Sequence, residues 1–159
     1  MKITVLAVGK IKEKFFVQAL EEYAKRLGRY CTLEMIAVED EPTPDHASEK
    51  QEKQILEKEG ERLLARLPGD AYVIALAIRG KMLDSPGLAA FMEARALEGK
   101  SHLVFVIGGS LGLSEAVMER ADYALSFSSM TFPHQLMRVI LLEQIYRAFR
   151  IIRGEPYHK

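Results

Sequence analysis

The chain predicts an α/β protein, a mostly parallel sheet sandwiched by helices, and three observations carry that expectation. Residues 71–78 (AYVIALAI) and 102–107 (HLVFVI) are continuous apolar runs, the pattern of strands covered on both faces. Strand-like and helix-like segments alternate from one end of the chain to the other, the order that builds a parallel sheet through helical crossovers. The turns after the later strands are rich in glycine or small hydroxyls, and open α/β sheets bind ligands beyond the carboxyl ends of their strands.

Lys2–Val8 (KITVLAV) reads as the first strand and Gly9 ends it. Residues 13–27 form a helix with Phe16, Ala19, Leu20, Tyr23 and Leu27 on one face, closed by Gly28. Thr32–Val38 alternates enough to be the second strand, and residues 39–45, with Pro42 and Pro44, form an exposed loop. A long polar helix is expected over 46–67, with a thin apolar stripe at Ile55, Leu63, Leu64 and Leu67, before the turn Pro68-Gly69-Asp70. After the third strand at 71–78, Ser85 as N-cap and Pro86 in the first turn start a helix that runs to about Leu97. His102–Ile107 is the fourth strand, Ser114 caps a short helix to Arg120, and residues 123–125 make a short fifth strand.

The last fifth of the chain, SFSSMTFPHQLMRVILLEQIYRAFRIIRGEPYHK, holds most of the chemistry. Pro133 disfavours helical geometry at Phe132, so an extended loop precedes a helix that begins at His134. That helix is apolar almost all round, where an ordinary surface helix keeps one wet face. A partner subunit is the expected second cover. At 100° per residue, His134 and Arg138 share a side with Leu142, Ile145 and Phe149, which aims polar groups at a ligand or a wet cleft. Glu143, Arg147 and Arg150 form a narrower polar stripe, and Glu143 with Arg147 has the spacing of a helix-surface pair.

Composition limits the possibilities. The 159 residues are 48% hydrophobic, enough for one core and a single domain, 1–159. Lys plus Arg equals Asp plus Glu at 22 each, so no global basic signature marks a nucleic-acid binder. Local patches do exist, early at Lys10, Lys12, Lys14, Lys25, Arg26 and Arg29 and late from Arg138 to Lys159. Cys31 is the only cysteine and the four histidines have no ligand spacing, so no metal site is expected. No leader is expected and no apolar run reaches membrane-spanning length, so the expectation is a soluble, cytoplasmic protein.

Three strand ends stand out: Leu76 to Lys81, Gly108 to Gly112, and Ser126 to Phe132. Glycines let backbone approach a ligand closely, and the combination suits a nucleotide-like molecule. The glycines follow the fourth strand, whereas a dinucleotide-binding fold carries them after the first. No GxxxxGK[ST] loop occurs, and Ser110 lacks the GxSxG context of a hydrolase nucleophile.

The C-terminal segment, the IGGSLGL loop and the LAIRGK turn together resemble the ribosomal RNA large subunit methyltransferase H family, part of the SPOUT superfamily. The resemblance runs over essentially the whole chain, with the blocks in the family's order. It implies an α/β fold whose C-terminal segment threads a trefoil knot, which periodicity alone does not reveal. It also implies S-adenosylmethionine as methyl donor, N3 of a pseudouridine in 23S rRNA of assembled ribosomes as acceptor, and a homodimer. Carried onto this sequence, the donor site comprises Leu76, Gly108, Phe127, Ser128, Ser129, Met130, Thr131 and Phe132. His158 is the leading candidate for taking the acceptor proton, with His134 and Glu143 behind it, and Arg138 is a candidate for stabilising the deprotonated base or binding phosphate. Tyr157 and Lys159 are expected to meet the RNA by stacking and by phosphate contact. The competing assignment is a non-catalytic nucleotide- or ribosome-binding module of the same fold, and a donor pocket separates the two.

Overall fold

The computed structural model describes residues 1–159. Ten elements alternate along it: β1 Lys2–Val8, α1 Lys14–Leu27, β2 Thr32–Val38, α2 Glu49–Leu64, β3 Tyr72–Met82, α3 Ser85–Leu97, β4 His102–Ile107, α4 Glu115–Arg120, β5 Tyr123–Ser126 and α5 His134–Ile152. The strands form one sheet in the order β2-β1-β4-β3-β5, and every neighbouring pair is parallel.

Alternation along each strand sorts side chains into two cores. Ile3, Val5 and Ala7 of β1 and Leu103, Phe105 and Ile107 of β4 face α1, α3 and α5. Leu6, Val8, Val104 and Val106 face α2 and α4, meeting Leu63 and Val117. Because both faces are covered, the inner parts of β3 and β4 are apolar at every position. The one buried polar residue of β1, Thr4, has His102 Nε2 as partner at 2.8 Å.

Several local expectations are corrected. The second helix begins at Glu49, not His46, because Ser48 and Gln51 close a reciprocal capping box and His46 has a left-handed φ of 59° that no helix continues. Asp84, not Ser85, caps α3 by accepting the Gly87 N–H at 2.7 Å. Ser85 instead donates to Gln144 of α5 at 2.6 Å. Gly28 closes α1 in ordinary right-handed geometry, φ −56°. Finally, β3 runs past Ile78 to Met82. Leu76 and Lys81 both register with Leu125, so residues 77–80 bow out of the β3–β5 ladder. Gly80 is needed in this arch, since a Cβ there would stand 2.7 Å from the Ala124 carbonyl carbon.

The last helix, α5, packs against both α1 and α3. Leu141, Leu142 and Ile145 are fully buried, and each such side chain contributes about 2 kcal/mol of burial free energy. The covered face is nevertheless only one face. Val139, Ile140, Ile151 and Ile152 stay half-buried, and Leu136 is 36% exposed.

Candidate active site

The carboxyl ends of β3, β4 and β5 surround a cleft of about 640 Å³, within the range of small-molecule sites. Each predicted loop supplies a wall. The β3 arch contributes Leu76, Ala77, Ile78 and Arg79; the glycine loop contributes Gly108 to Leu113; the segment after β5 contributes Phe127, Ser128, Met130, Thr131 and Phe132. The structure thus brings together seven of the eight donor-site residues expected from the sequence, and Ser129 alone does not line the cleft.

Gly108 is required for a reason different from the one expected. A Cβ on it would meet not an open ligand space but the loop itself, standing 2.5 Å from the Gly112 carbonyl carbon. The turn closes through the Gly112 N–H donating to the Gly109 carbonyl at 3.1 Å, and Gly112 takes a φ of 88° that favours glycine. The serines after β5 also build their own loop. Ser126 Oγ donates to the Ser128 carbonyl at 3.1 Å, and Ser128 Oγ accepts the Met130 N–H at 3.0 Å. Met130 stands 72% exposed at the mouth.

His134 and Arg138, on one side of α5 as their spacing predicts, part company at its start. His134 lines the cleft with Met137. Burial, and then the charge of Arg138, hold its imidazole below the ordinary histidine value, which keeps it neutral. Arg138 is 3% exposed. Its Nη2 donates to the carbonyls of Val8 at 2.7 Å and Gly9 at 2.6 Å, at the end of β1. Buried there without a carboxylate partner, it braces the strand end, and the expected phosphate contact has no exposed guanidinium to make it. Asp40 and His134 complete the surroundings of Gly9.

The tail is not a frayed end. Residues 155–158 fold back along α5 and are gripped by its polar stripe. Arg150 binds the Glu155 carboxylate at 2.8 Å and donates to the Pro156 carbonyl at 2.7 Å. Tyr30 joins this knot of contacts by donating to Glu155 at 2.9 Å. Tyr157 packs edge-on against Tyr146, ring centres 4.9 Å apart, with the Arg147 guanidinium 4.6 Å from its ring centre. Glu143 holds Arg147 with two contacts, at 2.9 and 3.2 Å. Burial, and then the Glu143 carboxylate, push the Tyr157 phenol above its ordinary value, so it remains a donor.

Arg147 Nη1 lies 3.2 Å from His158 Nδ1. A guanidinium only donates, so Nδ1 carries the lone pair and the proton sits on Nε2. His158 and Lys159 are exposed, and none of the residues 157–159 lines the cleft of its own chain.

Sequence reasoning missed Met118 and Met137 as cleft residues, along with Tyr30, Tyr146 and Glu155 as anchors of the tail. The LAIRGK turn was a visible signal for Arg79, but its arch appears only in the pairing with β5. The tail anchors lie up to 125 positions apart in sequence, and no local pattern joins them.

A cleft beyond three parallel strand ends lies where open α/β sheets bind their ligands, and it defines the chain as an α/β protein of that kind. The chain belongs to the SPOUT methyltransferase family: residues 1–158 match the family described as "Predicted SPOUT methyltransferase". Over its full length it is 62% identical to the full-length "Ribosomal RNA large subunit methyltransferase H" of Bifidobacterium adolescentis. It is 57% identical, again over both full lengths, to the protein of that name from Clostridium botulinum. It shows the same identity and coverage to "Ribosomal RNA large subunit methyltransferase H 1" of Clostridium perfringens. The chain is therefore a methyltransferase, as its short blocks implied. No helix is long and apolar enough to cross a membrane.

Proposed function

We propose that this methyltransferase moves a methyl group from S-adenosylmethionine to N3 of a pseudouridine in 23S rRNA within assembled ribosomes, as a cytoplasmic homodimer of single-domain subunits spanning residues 1–159. The observation that carries this reading is the cleft in which Leu76, Gly108 and the segment from Phe127 to Phe132 converge. The relatives' names, all of them ribosomal RNA methyltransferases, support the acceptor class. The trefoil knot belongs to the same reading, with the segment after β5 as the part that threads.

The cleft suits such a donor. Its apolar side, at Leu76, Ile78 and Phe132, accepts a flat base, and the backbone of the glycine loop presents polar groups at close range without intervening side chains. When bound, the donor supplies a methyl group activated on a sulfonium. The protein's own task is then largely positioning, because displacement needs the acceptor nitrogen in line with the departing sulfur. Arg138 acts as a positioning residue by holding the end of β1 beneath His134. His158 takes the acceptor N3 proton on Nδ1, which it frees by releasing Arg147. Tyr157 stacks on RNA and Lys159 meets a phosphate. Since no tail residue lines its own chain's cleft, the tail of one subunit serves the cleft of the other.

The reading is tested by incubating the protein and donor with ribosomes from a strain lacking the modification, then identifying nucleosides by mass spectrometry. The expected product is pseudouridine methylated at N3. Absence of that product despite donor binding would overturn N3 of a pseudouridine in 23S rRNA as the acceptor. The dimer is tested separately at Leu136, which is 36% exposed beside the half-buried Val139 and Ile140. Leu136→Glu is expected to give a monomer by light scattering and to lower ribosome methylation by about a hundredfold, because one charge in a dry apolar interface has no partner. A fully active monomer would overturn the homodimer.

A further inference from the structure

Outside the cleft, the most unusual group is Glu59 of α2, a carboxylate only 4% exposed. Its Oε2 accepts the Glu41 N–H at 2.9 Å, whereas its Oε1 has no partner. That free oxygen lies 3.2 Å from where a Cβ on Gly109 would stand, and Gly109 is a wall of the cleft. Burial pushes the carboxyl above its ordinary value. A solitary buried acid of this kind is costly, and the helix has no room to move it away. At the next position, Gly60, a Cβ would already meet Ser114 Cβ at 3.0 Å, so α2 is pressed onto the start of α4.

The neighbours of Glu59 form a connected device. Arg62 donates to the Glu39 carbonyl at 2.9 Å and pairs with Glu41 at 3.3 Å, and Lys58 lies 3.6 Å from Glu41. One face of α2 thereby holds the loop of residues 39–45. That loop in turn touches the glycine loop, Thr43 Oγ1 lying 3.4 Å from Ser110 Oγ. Glu59 sits at the junction with one oxygen used on the first loop and one directed at the second.

We propose that Glu59 is a positioning residue for the methyl-donor site, with its Oε1 receiving an N–H of Gly109 or Ser110 when the glycine loop closes on the donor. The inference rests on the donor-cleft reading above. It explains why Gly109 carries no side chain: any Cβ would come between the carboxylate and the loop backbone. It also explains why an acid is kept where an apolar residue would pack at lower cost.

The test compares the wild-type protein with Glu59→Gln and Glu59→Leu, using S-adenosylhomocysteine as the probe in calorimetry, thermal melting of the unliganded proteins, and methylation kinetics on ribosomes. Glutamine still accepts the Glu41 N–H but turns an NH2 toward the glycine loop. The expected result is a donor affinity about tenfold weaker in Glu59→Gln and weaker still in Glu59→Leu, from loss of a charge-assisted hydrogen bond. Melting temperatures should be unchanged or higher, because a buried charge has been removed. The donor KM should rise by the same factor, with kcat at saturating donor within about twofold of wild type. Variants that bind the probe like wild type, or that lose affinity only in step with melting temperature, overturn the role of Glu59. A wild-type protein that fails to bind the probe overturns the donor-cleft reading itself, and this inference with it.

Discussion

Removing Tyr157, His158 and Lys159 is expected to abolish methyl transfer while leaving affinity for S-adenosylhomocysteine within about twofold of wild type. The three residues lie outside their own chain's cleft, and in the proposed dimer they meet the acceptor at the partner's cleft, so donor binding has no direct need of them. Their order comes from α5, through the Tyr146–Tyr157 contact and the Glu143–Arg147–His158 chain of hydrogen bonds. That chain sets the tautomer of His158, placing the lone pair on Nδ1, and a proton acceptor needs its lone pair in a defined place. His158→Ala alone should lower the rate by about a hundredfold, within the usual contribution of general-base catalysis. Arg147→Met should produce part of that loss by leaving the imidazole without its defined orientation and removing the cation under Tyr157. The measurements are single-turnover methylation of ribosomes and calorimetry on each variant. Near-normal turnover by the truncated protein would show that the tail only decorates the helix.

The second large effect is expected at Gly108. In Gly108→Val, the Cβ itself collides with the backbone of Gly112, and a branched side chain adds further methyl groups in the same place. The loop of residues 108–112 must open, which displaces one wall of the cleft. Affinity for S-adenosylhomocysteine is expected to fall at least a hundredfold, beyond detection by calorimetry. The fold should survive, because the core of β4 ends at Ile107, one residue earlier. Circular dichroism and melting should therefore change little relative to the lost binding. Gly69→Val is the control, since a Cβ at Gly69 meets nothing within 4 Å; it should bind the probe normally. Retained affinity in Gly108→Val would remove the glycine loop from the donor site.

The difference between these two predictions reflects how each site is encoded. The glycine loop is legible because its demand is local: Gly108 and Gly112 approach each other within a single turn, and only glycine tolerates it. The tail is legible only as a set of chemical types. What gives Tyr157 and His158 a fixed geometry is α5, through Glu143 and Arg147, with Tyr30 and Arg150 anchoring the adjacent Glu155. From the sequence, Glu143 and Arg147 look like an ordinary surface pair, which they also are.

By itself, the sequence determined the alternation of elements, the buried strands, the three ligand-facing strand ends and the methyltransferase family. The first three follow from short-range patterns, because a strand covered on both faces is largely apolar and a tight turn must have its glycine. The family follows from the resemblance of several short blocks in order. Only the tertiary structure decided the strand order β2-β1-β4-β3-β5 and the arch at residues 77–80. It also decided the burial of Arg138 against β1 and the placement of Glu59 under Gly109. Each of these depends on which distant segment arrives opposite a given residue. Arg138 looks like a surface cation until Val8 and Gly9 meet it with their carbonyls, and Glu59 looks like one more acid of a polar helix until the glycine loop closes over it.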